Sequence, residues 1–204
     1  MTRLLLAMAM FVAAPAALAQ HHGSHTPRDT TSNDPHAVSE AFVVTGLRVD
    51  ETAPPPGSSI GRAGLRYADG GYVSVVYGRP YARGRQVWGG VVGYGQVWAA
   101  GAHRATELVT TVPLTIGEAR VEPGAYSLFL TPRSGTWTLH VNRALGMHLA
   151  DEYDASLDLA TKDAIPVVLP EEVEGLTWSF AEDGTHLRLA WAEFAANFEL
   201  SRAD

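Results

Sequence analysis

The sequence has no cysteine and a single lysine, Lys162. The first absence excludes disulfides, thiolate nucleophiles and cysteine metal sites. An exported domain without disulfides rests on its packed core alone, which suits a bacterial periplasm or exterior better than a small eukaryotic secreted module. No Asn-x-Ser/Thr acceptor occurs. The near absence of lysine leaves arginine as the cation, and the formal charge is −7 over 204 residues. A net acidic chain lacks the global electrostatic footprint of a nucleic-acid binder, so nucleic acid is not an expected partner. There is no internal repeat and no alternation of strand and helix patterns. The one long apolar run, from Leu4 to Ala14, is shorter than the ~20 residues a membrane-spanning helix needs.

That run instead has the features of a secretory leader. Arg3 supplies the positive charge before it, and Ala17-Leu18-Ala19 places small residues where a signal peptidase reads them. Residues 1–19 are expected to be a signal peptide cut near Ala19, giving a periplasmic or extracellular protein with no transmembrane span. Arg3 is the leader's only charged residue, so its removal takes the formal charge from −7 to −8. Residues 20–57 read as a disordered or extended arm and linker. They begin with the polar "QHHGSHTPRDTTSNDP", hold a strand-like run over 41–49, and end in the proline-rich "ETAPPPGSS".

Residues 58–204 form the expected folded domain, and their pattern is strand-like almost throughout. Asp69-Gly70-Gly71, "PRSG" at 132–135 and Glu182-Asp183-Gly184 are hairpin signals between apolar runs. In "TWTLHVN", Trp137, Leu139 and Val141 share one face by period two. Pro113 interrupts another run. "AIPVVLP", "LTWSFAE", "THLRLAWA" and "FAANFEL" supply up to four more strands. The only helical pattern is short, over 154–163. About nine strands with turns at short intervals predict an all-β, antiparallel β-sandwich, jelly-roll-like or immunoglobulin-like.

The chemistry concentrates in "YGRPYARGRQVWGGVVGYGQVWAAGAHRAT", residues 77–106. The stretch combines Tyr77-x-Arg79-Pro80, Arg83-Gly84-Arg85, Trp88-Gly89-Gly90, Tyr94-Gly95, Val97-Trp98, Gly101-Ala102 and Ala105-Thr106. With "PGAYSLFLTP", "WTLHVNR" and "LTWSF…LRLAW" further on, it resembles a bacterial exported family, domain of unknown function 2911, over about residues 58–200. The resemblance implies export and a β-rich fold, and no established activity. Two positions depart from the family pattern: Gly93 stands where proline is common, and His103 where the family usually has Asn or Asp.

Arginine presents five donors in a rigid fork that suits carboxylates, phosphates, sugar hydroxyls or backbone carbonyls. Arg79, Arg83 and Arg85 therefore either brace a glycine-rich loop that lacks ladder partners or line a pocket. In the pocket reading Arg79, Arg85, Trp88, Trp98 and His103 are the binding residues, with the indoles as stacking walls. Gly101 is expected to supply a backbone conformation closed to other residues. His103 is the only obvious neutral-pH proton carrier near that loop, and no serine or carboxylate is tied to it by spacing. Three readings stay open. The leading one is a non-catalytic binding module for a polar or anionic envelope-related small molecule or glycan. The second is a hydrolase or lyase on an envelope polymer with His103 as acid/base. The third is a structural or assembly protein with no small-molecule site. No cofactor is expected. His21, His22 and His25 form a cluster that chelates transition metals weakly at most. His148 with Asp151, Glu152 and Asp154 reads as an acidic loop rather than a metal site. Ser59 in "GSSIG" is not a nucleophile, because that elbow requires a strand–turn–helix and here a β-hairpin follows.

Overall fold

The computed structural model describes residues 34–44 and 57–204. The expected leader, His21, His22 and His25, and residues 45–56 lie outside the described residues. Eleven strands and one short 3-10 turn make up the rest. They are β1 (Val38–Val44), β2 (Ser59–Tyr67), β3 (Tyr72–Arg79), β4 (Thr106–Thr110), β5 (Leu114–Ile116), β6 (Ala119–Val121), β7 (Gly124–Pro132), β8 (Trp137–Asn142), β9 (Asp158–Ala164), β10 (Val167–Phe180) and β11 (His186–Arg202). They form a seven-stranded sheet, β1-β2-β3-β4-β7-β8-β9, packed on a four-stranded sheet, β10-β11-β5-β6. Every pairing is antiparallel, so the molecule is an all-β sandwich. Neighbours in the large sheet follow chain order, with one crossover: between β4 and β7 the chain passes through β5 and β6 of the small sheet. Among the described residues no helix is long and apolar enough to cross a membrane.

The alternation in the sequence decides which side chains face inward. Leu65, Val73, Val75, Leu108, Leu128, Leu130, Leu139 and Val141 of the large sheet meet Leu114, Ile116, Trp178, Leu187, Leu189, Phe198 and Leu200 of the small one, all fully or almost fully buried. The hairpin turns form where expected. Gly70 adopts φ +87° while the Asp69 carboxylate accepts the Gly71 N–H at 2.8 Å. Gly184 adopts φ +74°, and Asp183 accepts from both the amide and the hydroxyl of Thr185. Near Pro113 the chain leaves β4 in one sheet and enters β5 in the other.

The strand-like run at 41–49 contributes to β1, which begins at Val38 and pairs with β2 as the edge of the large sheet, and residues 45–49 lie outside the described residues. Two sequence expectations differ from the structure. The helical pattern at 154–163 yields only a 3-10 turn at Ala155–Leu157, capped by Asp154. Beyond it the chain joins the sheet as β9, burying Ala160 and Ala164, because the open edge of β8 offers hydrogen bonds that an isolated ten-residue helix cannot match. The four C-terminal runs are two long strands broken by bulges. Between Val168 and Val173 the β10 register slips against β11, and Ala192 on the partner strand has φ +48°. A bulge turns a strand without ending it.

A smaller apolar cluster lies apart from the main core. Ala99, Ala105, Phe129 and Met147 pack with Leu149, Ala150 and Tyr153. It fastens the 143–157 loop to the loop joining β3 and β4, and so sets one wall of the site.

Candidate functional site

The β3–β4 connection, residues 80–105, carries the arginines, and β10 holds it in place. Pro80 accepts the Leu176 N–H at 2.9 Å, and Glu174 accepts the Ala82 N–H at 2.8 Å through its carbonyl. The Glu174 carboxylate accepts the Arg83 N–H at 2.8 Å. These bonds continue a short ladder that includes Tyr81 opposite Gly175, and so satisfy loop backbone that would otherwise be orphaned.

The three arginines divide the work. Arg79 is buried, at 3% exposure. Its guanidinium donates to the Tyr81 hydroxyl at 3.2 Å, lies 5.1 Å from that ring's centroid, and rests where a side chain at Gly175 would stand. It braces the loop against β10, and the cavity of about 430 Å³ beside Arg83 and Arg85 is lined without it. Arg83 donates to the Gly57 carbonyl at 2.6 Å. Arg85 donates through Nε to the Ala82 carbonyl at 3.0 Å and through Nη2 to the Tyr81 carbonyl at 2.6 Å. Two of its five N–H donors are thereby used.

Arg83 and Arg85 line a cavity of about 430 Å³ with Tyr81, Trp98, His103 and Trp191. No Asp or Glu is among its described lining residues. Two indoles, Trp98 and Trp191, line it, Trp88 lies against both, and Trp137 lies against Trp88. Trp98 stacks on Trp191 at 5.7 Å between centroids and 22° between planes. Trp88 lies 4.1 Å from Trp137 and 5.8 Å from Trp98. Trp88 is buried, with its Nε1 donating to the Trp191 carbonyl at 3.0 Å. It supports Trp98 from within the core and is not among the residues that line this cavity. Trp98 is half-buried and pinned by paired backbone bonds to Leu130, each 2.8 Å.

The turn at 99–106 presents His103. Left-handed backbone falls on Ala100 (φ +53°) and His103 (φ +67°), and Gly101 is required for a different reason than expected. A Cβ at Gly101 would stand 2.8 Å from the Thr106 hydroxyl and 3.1 Å from the Gly78 carbonyl. The Ala100 carbonyl accepts both the Thr106 hydroxyl, at 2.9 Å, and the Trp178 Nε1, at 3.0 Å. Asn, Asp and His are the non-glycine residues most tolerant of the left-handed region. That tolerance accounts for His103 standing where the resembled family usually carries Asn or Asp, without invoking proton transfer. His103 is exposed, and no hydrogen bond joins it to a carboxylate among the described residues.

A second cavity, about 360 Å³, shares Ser58, Ala102 and His103 with the first and adds Ile60, Val76, Tyr77, Arg104 and Glu107. Burial pushes the Tyr77 phenol up from its ordinary value, against the opposing influences of a Trp178 backbone hydrogen bond and the Arg79 charge. It stays protonated at neutral pH.

One constellation escaped the sequence reading. His140 Nδ1 lies 2.9 Å from Asp158 Oδ2 and its Nε2 lies 2.9 Å from the Thr131 hydroxyl. Tyr153 donates to the same Asp158 oxygen at 2.6 Å, and Asn142 donates to the other at 2.7 Å. Burial, followed by the Asp158 hydrogen bond and charge, drives the Tyr153 phenol far above its usual range. The order Asp–His–Thr has the form of a nucleophile relay, but Thr131 is 3% exposed. The network anchors the 143–157 loop. The signal available was His140 and Asn142 two apart on the polar face of β8, with no spacing that points to Asp158. Elsewhere in that loop His148 pairs with Asp151 at 3.2 Å, exposed. Asp154 is a cap, and no cluster able to hold a metal occurs among the described residues. Ser59 begins β2 and bonds the Tyr81 hydroxyl at 2.8 Å.

No curated protein and no solved structure matches this chain. Residues 63–200, which include β3, β4 and the whole loop between them, match a family model. The chain therefore belongs to the family described as "Protein of unknown function (DUF2911)".

Proposed function

We propose that this protein is an exported, non-catalytic binding module, acting in the periplasm or outside the cell, whose ligand is a small polar anion such as an acidic sugar. The carrying observation is a cavity lined by two arginines, a histidine and a half-buried indole, with no acidic side chain among its described lining. Its size is that of a small-molecule site. Arg85 uses two donors on loop carbonyls and keeps three for a bidentate partner such as a carboxylate or phosphate. Trp98, fixed by Leu130 and Trp191, is a ready stacking face for a sugar ring. Bracing and binding are then one design: the carbonyl contacts hold the guanidinium in place before the ligand arrives, which lowers the ordering cost of binding.

The hydrolase or lyase reading requires a carboxylate to orient His103. Glu107 lines the adjoining cavity, but its carboxylate makes no hydrogen bond to the imidazole, so the observations favour binding. The purely structural reading suits Arg79 and leaves the cavity unexplained.

The test is thermal unfolding of the full chain against acidic and neutral sugars, phosphates, carboxylates and divalent metals, with Arg85→Gln in parallel. A ligand at a hundred times its dissociation constant stabilises by about 2.7 kcal/mol. The expected result is a shift with acidic compounds that is lost in the variant. No shift with any compound, or a shift equal in both proteins, overturns the reading.

A further inference from the structure

The two cavities differ in charge and adjoin at His103. The first carries Arg83 and Arg85 without an acid among its described lining. The second carries one charge of each sign, Arg104 and Glu107, and so offers nothing for a second anion. Its floor is the outer face of β2 and β3. Ile60 there is 67% exposed and Val76 38% exposed. Ile60 pairs in register with Gly78, where any side chain would collide with the Ala102 carbonyl. The position opposite Ile60 therefore presents no side chain and is covered instead by the Ala102 backbone, so the exposed aliphatic surface runs directly to the His103 turn. A cationic cavity adjoining one with no net charge and two exposed aliphatic side chains, Ile60 and Val76, on its floor matches a ligand with an anionic head and a hydrocarbon arm.

We infer that the two cavities form one groove for an anionic amphiphile. Its head lies against Arg83, Arg85 and Trp98, and its alkyl or acyl arm passes His103 to lie on Ile60 and Val76. This rests on the proposed anion site and adds the class of its ligand.

The test uses two homologous series below their micellar concentrations, n-alkyl glucuronides and n-alkyl phosphates, each from methyl to hexyl. Titration calorimetry is done on the full chain. Burying about half of each methylene gives roughly twofold tighter binding per carbon, so about thirtyfold from methyl to hexyl in the series whose head fits. In Ile60→Ser/Val76→Ser, both exposed enough to be changed without unfolding, the gradient is expected to flatten while the methyl compound binds as before. Arg85→Gln is expected to weaken every member equally and keep the gradient. Methyl members that bind with no gradient overturn the amphiphile and leave the anion site. A gradient that survives Ile60→Ser/Val76→Ser also overturns it. Failure of every member of both series overturns the anion site itself.

Discussion

Gly175→Ala tests whether Arg79 is a structural brace. Gly175 is not in the left-handed region, so the added methyl carries only a steric cost. It would stand on the Arg79 guanidinium, which at 3% exposure has no route to solvent. Overpacking of this kind costs about 1–3 kcal/mol. Displacing the guanidinium from the Tyr81 hydroxyl sacrifices a charged hydrogen bond worth about 1.5–3 kcal/mol. Since the two losses overlap, about 3 kcal/mol is expected. At about 2–4 °C per kcal/mol for a chain of this length, the melting temperature should fall by about 6–12 °C. The assay is urea and thermal unfolding of the parent, Gly175→Ala, Arg79→Met and the double variant. Removing the guanidinium makes room for the methyl, so the double variant should be more stable than the sum of the singles by about 1–2 kcal/mol. A Gly175→Ala protein within about 0.5 kcal/mol of the parent, a change typical of an unconstrained surface site, or strictly additive singles, refutes the brace.

Trp88→Ala should cost about 3–5 kcal/mol, as for any fully buried aromatic, whereas Trp98→Ala should cost much less and abolish ligand-induced shifts; urea unfolding with the ligand panel separates the two. Asp158→Asn should destabilise by about 2–3 kcal/mol, because the amide meets donors from Tyr153 and Asn142 where the carboxylate accepted both, and hydrogen exchange should show the 143–157 loop opening first. Arg202 grips Asp69 through both guanidinium nitrogens, at 3.0 and 2.7 Å. That grip, then the Gly71 N–H, holds the Asp69 carboxyl well below the usual carboxylate range. A depressed folded value means the pair stabilises above the unfolded value of about 3.9 and fades as pH falls beneath it. The stability gap between parent and Asp69→Asn should therefore be full at pH 6 and narrow steadily from pH 4 to pH 2 in urea titrations; a gap independent of pH contradicts the assignment.

What the sequence made legible was whatever local chemistry decides. Asp-Gly-Gly and Glu-Asp-Gly announced their hairpins because few residues adopt the left-handed backbone that Gly70 and Gly184 supply, and Pro-Arg-Ser-Gly announced its own by turn composition alone. The 154–163 run misled because its pattern is helical and its fate was set by the open edge of β8. The long β10 and β11 strands were read as four, since bulges and Pro170 look like strand ends in one dimension. At the site, Arg85, Trp98 and His103 were legible as large polar or aromatic residues among glycines, and the structure brings these three to one cavity. Trp88 looked identical to Trp98 in sequence, because what buries it is Trp137 and Trp191, distant in the chain. Glu174 was invisible for the same reason: it lies 91 residues from the arginine it anchors.

The most direct measurement is titration calorimetry of the full chain with glucuronate, inorganic phosphate and acetate, against Arg83→Gln/Arg85→Gln. Exposed arginine contacts to loop carbonyls contribute about 0.5–1.5 kcal/mol each, so losing the three of Arg83 and Arg85 should leave the variant folded with a melting temperature about 3–18 °C lower. The account predicts saturable binding of at least one anion by the parent and a loss of tenfold or more in the variant. Heat of binding that is absent from the parent, or unchanged in the variant, would contradict it.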